Sequence, residues 1–252
     1  MSGPANADHL SALGALRLAV VCPMANERDS AVRLVTEVLD QARPFAEARF
    51  FAVLDNACKD GTADLLRAHA LGEPRLTVVW APENRGVVDA YVRGYREALA
   101  TGFEWILEID AGFSHQPSDL ANFLPKVAEG HDCVFGSRFC RGGQISDSSL
   151  KRKLVSWGGS RLANLLLGTR LADMTSGYEM FRREALQMVL ERGIRSRGHF
   201  FQTEIKTYCR NLRICEVPIH YRAASPSLSG TVVEDALSRL WGLFLERLKG
   251  TL

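Results

Sequence analysis

The segment Trp105–Pro117, WILEIDAGFSHQP, holds the side chains best placed to do chemistry. Ile106, Leu107 and Ile109 read as a buried strand, and Asp110 stands where that strand should end. Carboxyl ends of strands in open α/β sheets are where ligands bind. An acid there, followed by Gly112, Ser114, His115 and Pro117, can meet a metal–diphosphate or a ribose without crossing the core. Three other apolar runs end in the same way: the first in Pro23 with Asn26-Glu27 beyond it, the second in Asp55, and the third before Asn84-Arg85-Gly86. In a parallel sheet these ends share one edge, so the polar groups converge on a crevice able to hold a nucleotide. Singly, each has a plainer reading. Asn26-Glu27 can open a helix, Asp60-Gly61-Thr62 reads as a turn and cap, and Asn84 and Gly86 stand as turn residues or ligand contacts.

The elements that must position these groups alternate. Strands are predicted at Arg17–Cys22, Arg49–Leu54, Leu76–Trp80, Phe103–Ile109 and Asp132–Gly136. Helices are predicted from Ser30, from Thr62, over Gly86–Ala100 and from Ser118 to Glu129. This β-α alternation predicts an α/β fold, a mostly parallel sheet covered on both faces. The second half carries helical patterns at Leu150–Leu167, Arg183–Arg192 and Gly198–Arg210, a strand-like end to Asp173–Phe181, a strand at Arg213–Ile219 and a final helix from Thr231 with a wide apolar stripe. The expected division is a disordered leader over 1–16, a catalytic domain over 17–230 and an amphipathic helix over 231–252.

Composition narrows the classes. Of 252 residues, 46% are hydrophobic and 24% charged, ordinary for a globular core. A net charge of +2 argues against wrapping nucleic acid. No secretory signal is evident and no apolar run reaches about 18 residues, so a cytoplasmic chain, with at most peripheral contact at the cytosolic membrane face, is expected. Six cysteines without C-x-x-C spacing speak for reduced thiols rather than zinc. No G-x-G-x-x-G follows the first strand, which disfavours a dinucleotide-binding oxidoreductase.

The ordered motifs VCPMANE (21–27), VLDNACKDGTADLL (53–66), NRGVVDAYVRGYREA (84–98), EIDAGFSHQP (108–117), FGSRF (135–139), SLKRKLVSWGGSRLAN (149–164), DMTSGYEMFRREAL (173–186), HFFQTEI (199–205) and EVPIHY (216–221) resemble family 2 glycosyltransferases of the GT-A fold, and within them the dolichol- or polyprenyl-phosphate mannosyl and glucosyl synthases. The resemblance implies an inverting transferase that moves a hexose from a nucleotide diphosphate sugar, GDP-mannose or a UDP-sugar, to a polyprenyl phosphate. It implies that Pro23, Asn26 and Glu27 line the nucleotide pocket and that Asp55 contacts the base. Asp110 would hold the diphosphate through Mg²⁺ or Mn²⁺, Arg138 and Arg152 would meet the acceptor phosphate, and Gln202 and Glu204 would lie near the transferred sugar. A lipid phosphate is already anionic and needs no general base, and guanidinium forks suit it.

Two departures bear on these expectations. The family's Asp-x-Asp is Asp110-Ala111-Gly112 here, so the second carboxylate is missing. Glu108, on the same strand face as Asp110, offers a water-bridged ligand or a buried partner for a basic residue. After EVPIHY the loop reads RAASPSLSG, with Gly230 where the family has Lys, and Trp157 replaces a common Arg. Two rivals therefore stay open: a transferase with a soluble or glycan acceptor, and a nucleotide-sugar binding protein that has lost its metal site. The Lys151–Lys153 cluster and the last helix, with Trp241 and Phe244, either lie on a bilayer or pack on the domain.

Overall fold

Residues of β1 (Arg17–Pro23) alternate between two cores: Leu18, Val20 and Cys22 enter one, Ala19 and Val21 the other. A strand apolar on both faces belongs at the centre of a covered sheet, and β1 lies there in the computed structural model of the protein. The structure describes residues 12–222 and 230–252, apart from the side chains of 151, 152 and 230–233.

The remaining strands of the sheet are β2 (Glu47–Leu54), β3 (Leu76–Trp80), β4 (Trp105–Glu108), β5 (Cys133–Ser137), β7 (Glu179–Arg182) and β8 (Ile214–Pro218), in the order β3-β2-β1-β4-β7-β5-β8. Strands β3, β2, β1 and β4 run parallel, and β7 is antiparallel to both β4 and β5. Beyond this sheet, β6 (Gln144–Ser146) pairs in parallel with β9 (His220–Arg222).

Among the described residues, eight helices cover the faces: α1 (Ala31–Gln41), α2 (Thr62–Ala70), α3 (Val87–Ala100), α4 (Leu120–Ala128), α5 (Leu150–Leu167), α6 (Arg183–Arg192), α7 (Phe201–Tyr208) and α8 (Gly230–Leu248). The first core gathers residues of α1, α4 and the even β1 face; the second gathers α3, α6, α7 and the odd face. Leu13, within the stretch assigned to the leader, is fully buried in the first core, so the packed body reaches back past residue 17. Residues 1–11 of that leader lie outside the described residues.

Two sequence expectations shift in detail. Ser118 falls inside a short 3-10 turn, Pro117–Asp119, which feeds α4. The strand-like end at Phe181 is a full strand, β7, inserted antiparallel between two others.

Candidate active site at the strand switch point

From β1 the chain steps outward to β2 and β3, then returns to β4 on the other side of β1. At such a reversal the loops after the two strands part, leaving a crevice at the carboxyl ends. Glu27 follows β1 and Asp110 follows β4, so the two acids flank that reversal.

Asp110 is positioned by two aromatic side chains. The Tyr91 hydroxyl donates to Oδ1 at 2.7 Å, and His115 Nδ1 lies 3.7 Å from Oδ2. Tyr91 is buried in α3, where burial first and Asp110 second push its hydroxyl pKa well up and keep it a donor. His115 is sealed between Tyr178 and Tyr221, and burial lowers its pKa, so the ring is neutral near pH 7. Its Nδ1 accepts from the Asp110 N–H at 3.4 Å, which leaves the proton on Nε2, a buried atom with no hydrogen-bond partner. The Asp110 side chain itself remains 41% exposed.

The loops expected to face a nucleotide are tied to one another. Asn26, at φ 61°, donates to Ala57 O at 2.9 Å and accepts from Lys59 N at 2.8 Å, joining the loop after β1 to that after β2. Asn56 donates to Pro82 O at 2.9 Å and joins the next pair. Glu27 N–H donates to Thr62 Oγ1 at 2.9 Å, and Thr62 Oγ1 in turn donates to Asp60 at 2.6 Å, which holds that carboxyl at about 2. Asp60-Gly61-Thr62 is therefore the turn the sequence reads. Asp55 is buried, with Oδ1 accepting from Ala57 N at 2.8 Å. Pro23 closes β1, Gly86 precedes α3, and Asn84 Nδ2 is buried without a partner, an orphaned donor beside the third loop.

Glu108 is neither a metal ligand nor the partner of a base. It is fully buried, and its two oxygens accept from Tyr95 and Gln202. Across the β4–β7 pairing it faces Glu179, which takes the available base, Lys206, at 2.8 Å. Burial first, and Glu179 second, raise the Glu108 pKa well above the carboxylate range.

The residues expected near the acceptor and the transferred sugar separate. The Arg138 side chain, 8% exposed, gives Nε and Nη2 to Asp173 at 2.7 and 2.8 Å, and Nη2 also reaches Thr175 at 2.5 Å. Its charge is thus matched by Asp173, whose pKa Arg138 holds far below the usual range against the opposing effect of burial. Gln202 bonds Glu108 beneath Asp110, while its Oε1 is buried without a partner. Glu204 turns elsewhere. It accepts from Ser196 N and Oγ, Tyr208 and Arg239, beside a cavity of about 370 Å³ lined by Val88, Val92, Arg96, Ser196 and Arg197. The side chain of Arg152 and the loop 223–229 lie outside the described residues.

Sequence reasoning missed Tyr91 and Asp173 as supports of Asp110 and Arg138. The one hint for the first is that Tyr91 and Tyr95 stand one turn apart on α3; their hydroxyls meet Asp110 just past β4 and Glu108 within it.

No group of three or more His, Cys, Asp or Glu side chains is assembled to hold a metal among the described residues. A pair of carboxylates suffices for Mg²⁺ when diphosphate oxygens and water complete its shell. An added Cβ at Gly112 would meet the Glu27 carboxylate at 3.1 and 3.2 Å, so Glu27 lies against the loop that carries Asp110.

Two packed helices, α5 and α8, present apolar stripes outward: Leu150, Leu154, Trp157 and Leu165 on one, Leu237, Trp241, Leu245 and Leu248 on the other. The inner side of α8 buries Leu240 and Leu243, and Arg247 donates to Leu165 O and Leu166 O. Packing and outward exposure thus coexist on these helices. No helix among the described residues is long and apolar enough to cross a membrane.

A family model for glycosyl transferase family 2 matches residues 19–190. Undecaprenyl-phosphate mannosyltransferase of Micrococcus luteus is 33% identical over 235 residues, 90% of this chain and 95% of that protein. Polyprenol monophosphomannose synthase of Mycolicibacterium smegmatis is 30% identical over 244 residues, 93% and 91% of the two chains. In fold, the chain is similar to glucosyl-3-phosphoglycerate synthase of Mycobacterium tuberculosis bound to UDP, with a TM-score of 0.69, 17% identity and coverage of 97% and 86%. The same enzyme with Mn²⁺, UDP-glucose and phosphoglyceric acid gives a TM-score of 0.65 at 18% identity, covering 92% of this chain and 82% of that one. Because the matched span runs from β1 into α6 and covers more than half of the chain, the chain belongs to glycosyl transferase family 2 and is a glycosyltransferase of GT-A architecture.

Proposed function

We propose that the protein transfers a hexose, mannose or glucose, from a nucleotide diphosphate sugar to a polyprenyl phosphate, inverting the anomeric centre, at the cytosolic face of a membrane. The observation that carries the acceptor side is the pair of apolar stripes on α5 and α8. A small soluble acceptor gives no reason for two packed helices to show Leu150, Leu154, Trp157, Leu165, Leu237, Trp241 and Leu248 to solvent, whereas a lipid-linked acceptor does. The full-length similarity to two enzymes named for polyprenyl-linked mannose transfer supports the same reading.

In this reading Pro23, Asn26, Glu27, Asp55, Asn84 and Gly86 surround the nucleotide, and Asp110 faces the diphosphate. Mg²⁺ or Mn²⁺ at Asp110 would neutralise charge gathering on the leaving diphosphate. Tyr91 holds the Asp110 carboxylate through its hydroxyl, and His115 Nδ1 holds the Asp110 backbone N–H. Asp173 fixes the Arg138 fork through Nε and Nη2, which leaves Nη1 outside that pair and available to a phosphate oxygen. Arg152 would add a second cation. The phosphate attacks as an anion, so the chain needs no base. Gln202 braces the floor through Glu108, near the sugar.

The test offers labelled GDP-mannose and UDP-glucose to the purified protein with undecaprenyl phosphate in detergent, against a panel of soluble sugars and phosphoglycerate. Organic-extractable label is expected with the lipid alone. Label passing only to a water-soluble acceptor would overturn the lipid assignment, and nucleotide binding without any transfer would favour a binding protein.

A further inference from the structure

Gly112 stands where the resemblance leads one to expect a second metal-binding carboxylate, and its backbone is left-handed at φ +71°. The volume a side chain there would enter is not empty. An added Cβ would lie 3.1 Å from Glu27 Oε1 and 3.2 Å from Oε2, tighter than ordinary van der Waals contact. A carboxylate delivered from the loop after β1 thus fills the space vacated in the loop after β4.

This carboxylate is held, yet not neutralised. Its backbone N–H is fixed by Thr62, and Oε2 accepts from Ser30 Oγ at 2.7 Å. Among the described residues Oε1 takes no hydrogen bond, and neither Glu27 nor Asp110 forms an ion pair with a lysine or arginine. Two uncompensated carboxylates beside one strand reversal, each fixed by its own hydroxyl donor, suit a hard divalent cation.

We infer that Glu27 supplies the second protein carboxylate of the metal site, replacing the side chain absent at Gly112, so that Glu27 and Asp110 bracket a Mg²⁺ or Mn²⁺ completed by diphosphate oxygens and water. The inference rests on the nucleotide-sugar reading above and reassigns Glu27 within it, from a wall of the nucleotide pocket to a ligand. It also explains the glycine: any larger residue at 112 would press on the carboxylate that does its work.

The experiment measures Mn²⁺ binding by the loss of its free electron paramagnetic resonance signal, with GDP or UDP present, and nucleotide binding alone by calorimetry in chelator. Outer-shell partners of metal sites are worth about 10–100-fold in affinity, and a direct ligand no less. E27Q, which keeps the side-chain shape, is expected to weaken nucleotide-dependent Mn²⁺ binding by about tenfold or more, a larger loss than any it causes to nucleotide binding in chelator. E27A should lose Mn²⁺ likewise, and E27A/G112D should regain it, since Asp tolerates a left-handed backbone and the facing space has been cleared. Wild-type Mn²⁺ affinity in folded E27Q and E27A would overturn the inference, as would equal losses of nucleotide with and without metal. Absence of nucleotide binding by the wild-type protein in chelator and in Mn²⁺ alike would instead strike the donor assignment itself.

Discussion

Replacing Lys206 by methionine tests the buried scaffold beneath Asp110. The ammonium is fully buried, 2.8 Å from Glu179 Oε1 and donating to Ser176 O at 2.6 Å. No donor is aligned on either Glu179 oxygen, and burial raises its pKa from 4.5 to about 7 even with Lys206 alongside. At about 1.4 kcal/mol per pH unit, that displacement puts roughly 3 kcal/mol against the ionised form. The sign follows from where the proton sits. Below pH 4.5 the carboxyl is neutral in both folded and unfolded chains and the penalty vanishes. It grows as pH rises towards 7, because the unfolded chain releases its proton first. Without the ammonium, the carboxyl holds its proton to still higher pH, and ionising it means leaving a lone buried charge, which costs about 3–5 kcal/mol. At pH 5 the variant loses little beyond the bond to Ser176 O, about 1 kcal/mol. Urea unfolding followed by tryptophan fluorescence at pH 5 and pH 8.5, with Trp105 buried as one reporter, should therefore show a destabilisation several-fold larger at pH 8.5. A difference that is flat or shrinks with pH would refute the reasoning.

Tyr91→Phe removes the hydroxyl on Asp110 Oδ1; a hydrogen bond to a charged group is worth about 1.5–3 kcal/mol. We expect kcat/KM to fall about ten- to a hundredfold with thermal stability little changed, and an unaltered kcat/KM would show that this contact is idle. Gly94→Ala inserts a Cβ that runs into Val21 Cγ1 and stands 2.9 Å from Val53 Cγ2, where α3 crosses the sheet. Overpacking of this kind costs about 1–3 kcal/mol, against which helix propensity returns only about 1 kcal/mol, so a lowered melting temperature is expected. The triple change Leu154→Ser, Trp157→Ser, Leu165→Ser alters residues that are 59%, 47% and 75% exposed. It should abolish sedimentation with anionic vesicles containing polyprenyl phosphate while leaving thermal stability intact; retained sedimentation would move the lipid contact elsewhere.

The parallel half of the sheet was legible because each of its strands is an apolar run followed by a helix, and β-α alternation permits little else. Strand β7 was not. It arrives after α5 without a crossover pattern of its own, and its antiparallel sense follows from pairing to β4 and β5, which no local periodicity encodes. Within the site, Asp110 and Glu27 could be read from their positions after strands. The different surroundings of Gln202 and Glu204 could not. The two are neighbours in a motif, yet residues two apart on a helix point to nearly opposite sides, so one meets Glu108 and the other Ser196 and Arg239. Tyr91 looked like any apolar-stripe residue of α3, because its partner lies 19 residues on and is brought near only by the sheet.

The cross-links that Asn26 and Asn56 make between successive loops carry one more consequence. A rim already fastened in this way does not have to organise itself around an incoming donor, so little affinity is lost to ordering on arrival. The same stiffness removes the option of yielding to a misshapen guest. Discrimination between bases should therefore arise as outright rejection at a rigid socket, and loosening either asparagine should broaden donor choice before it diminishes turnover.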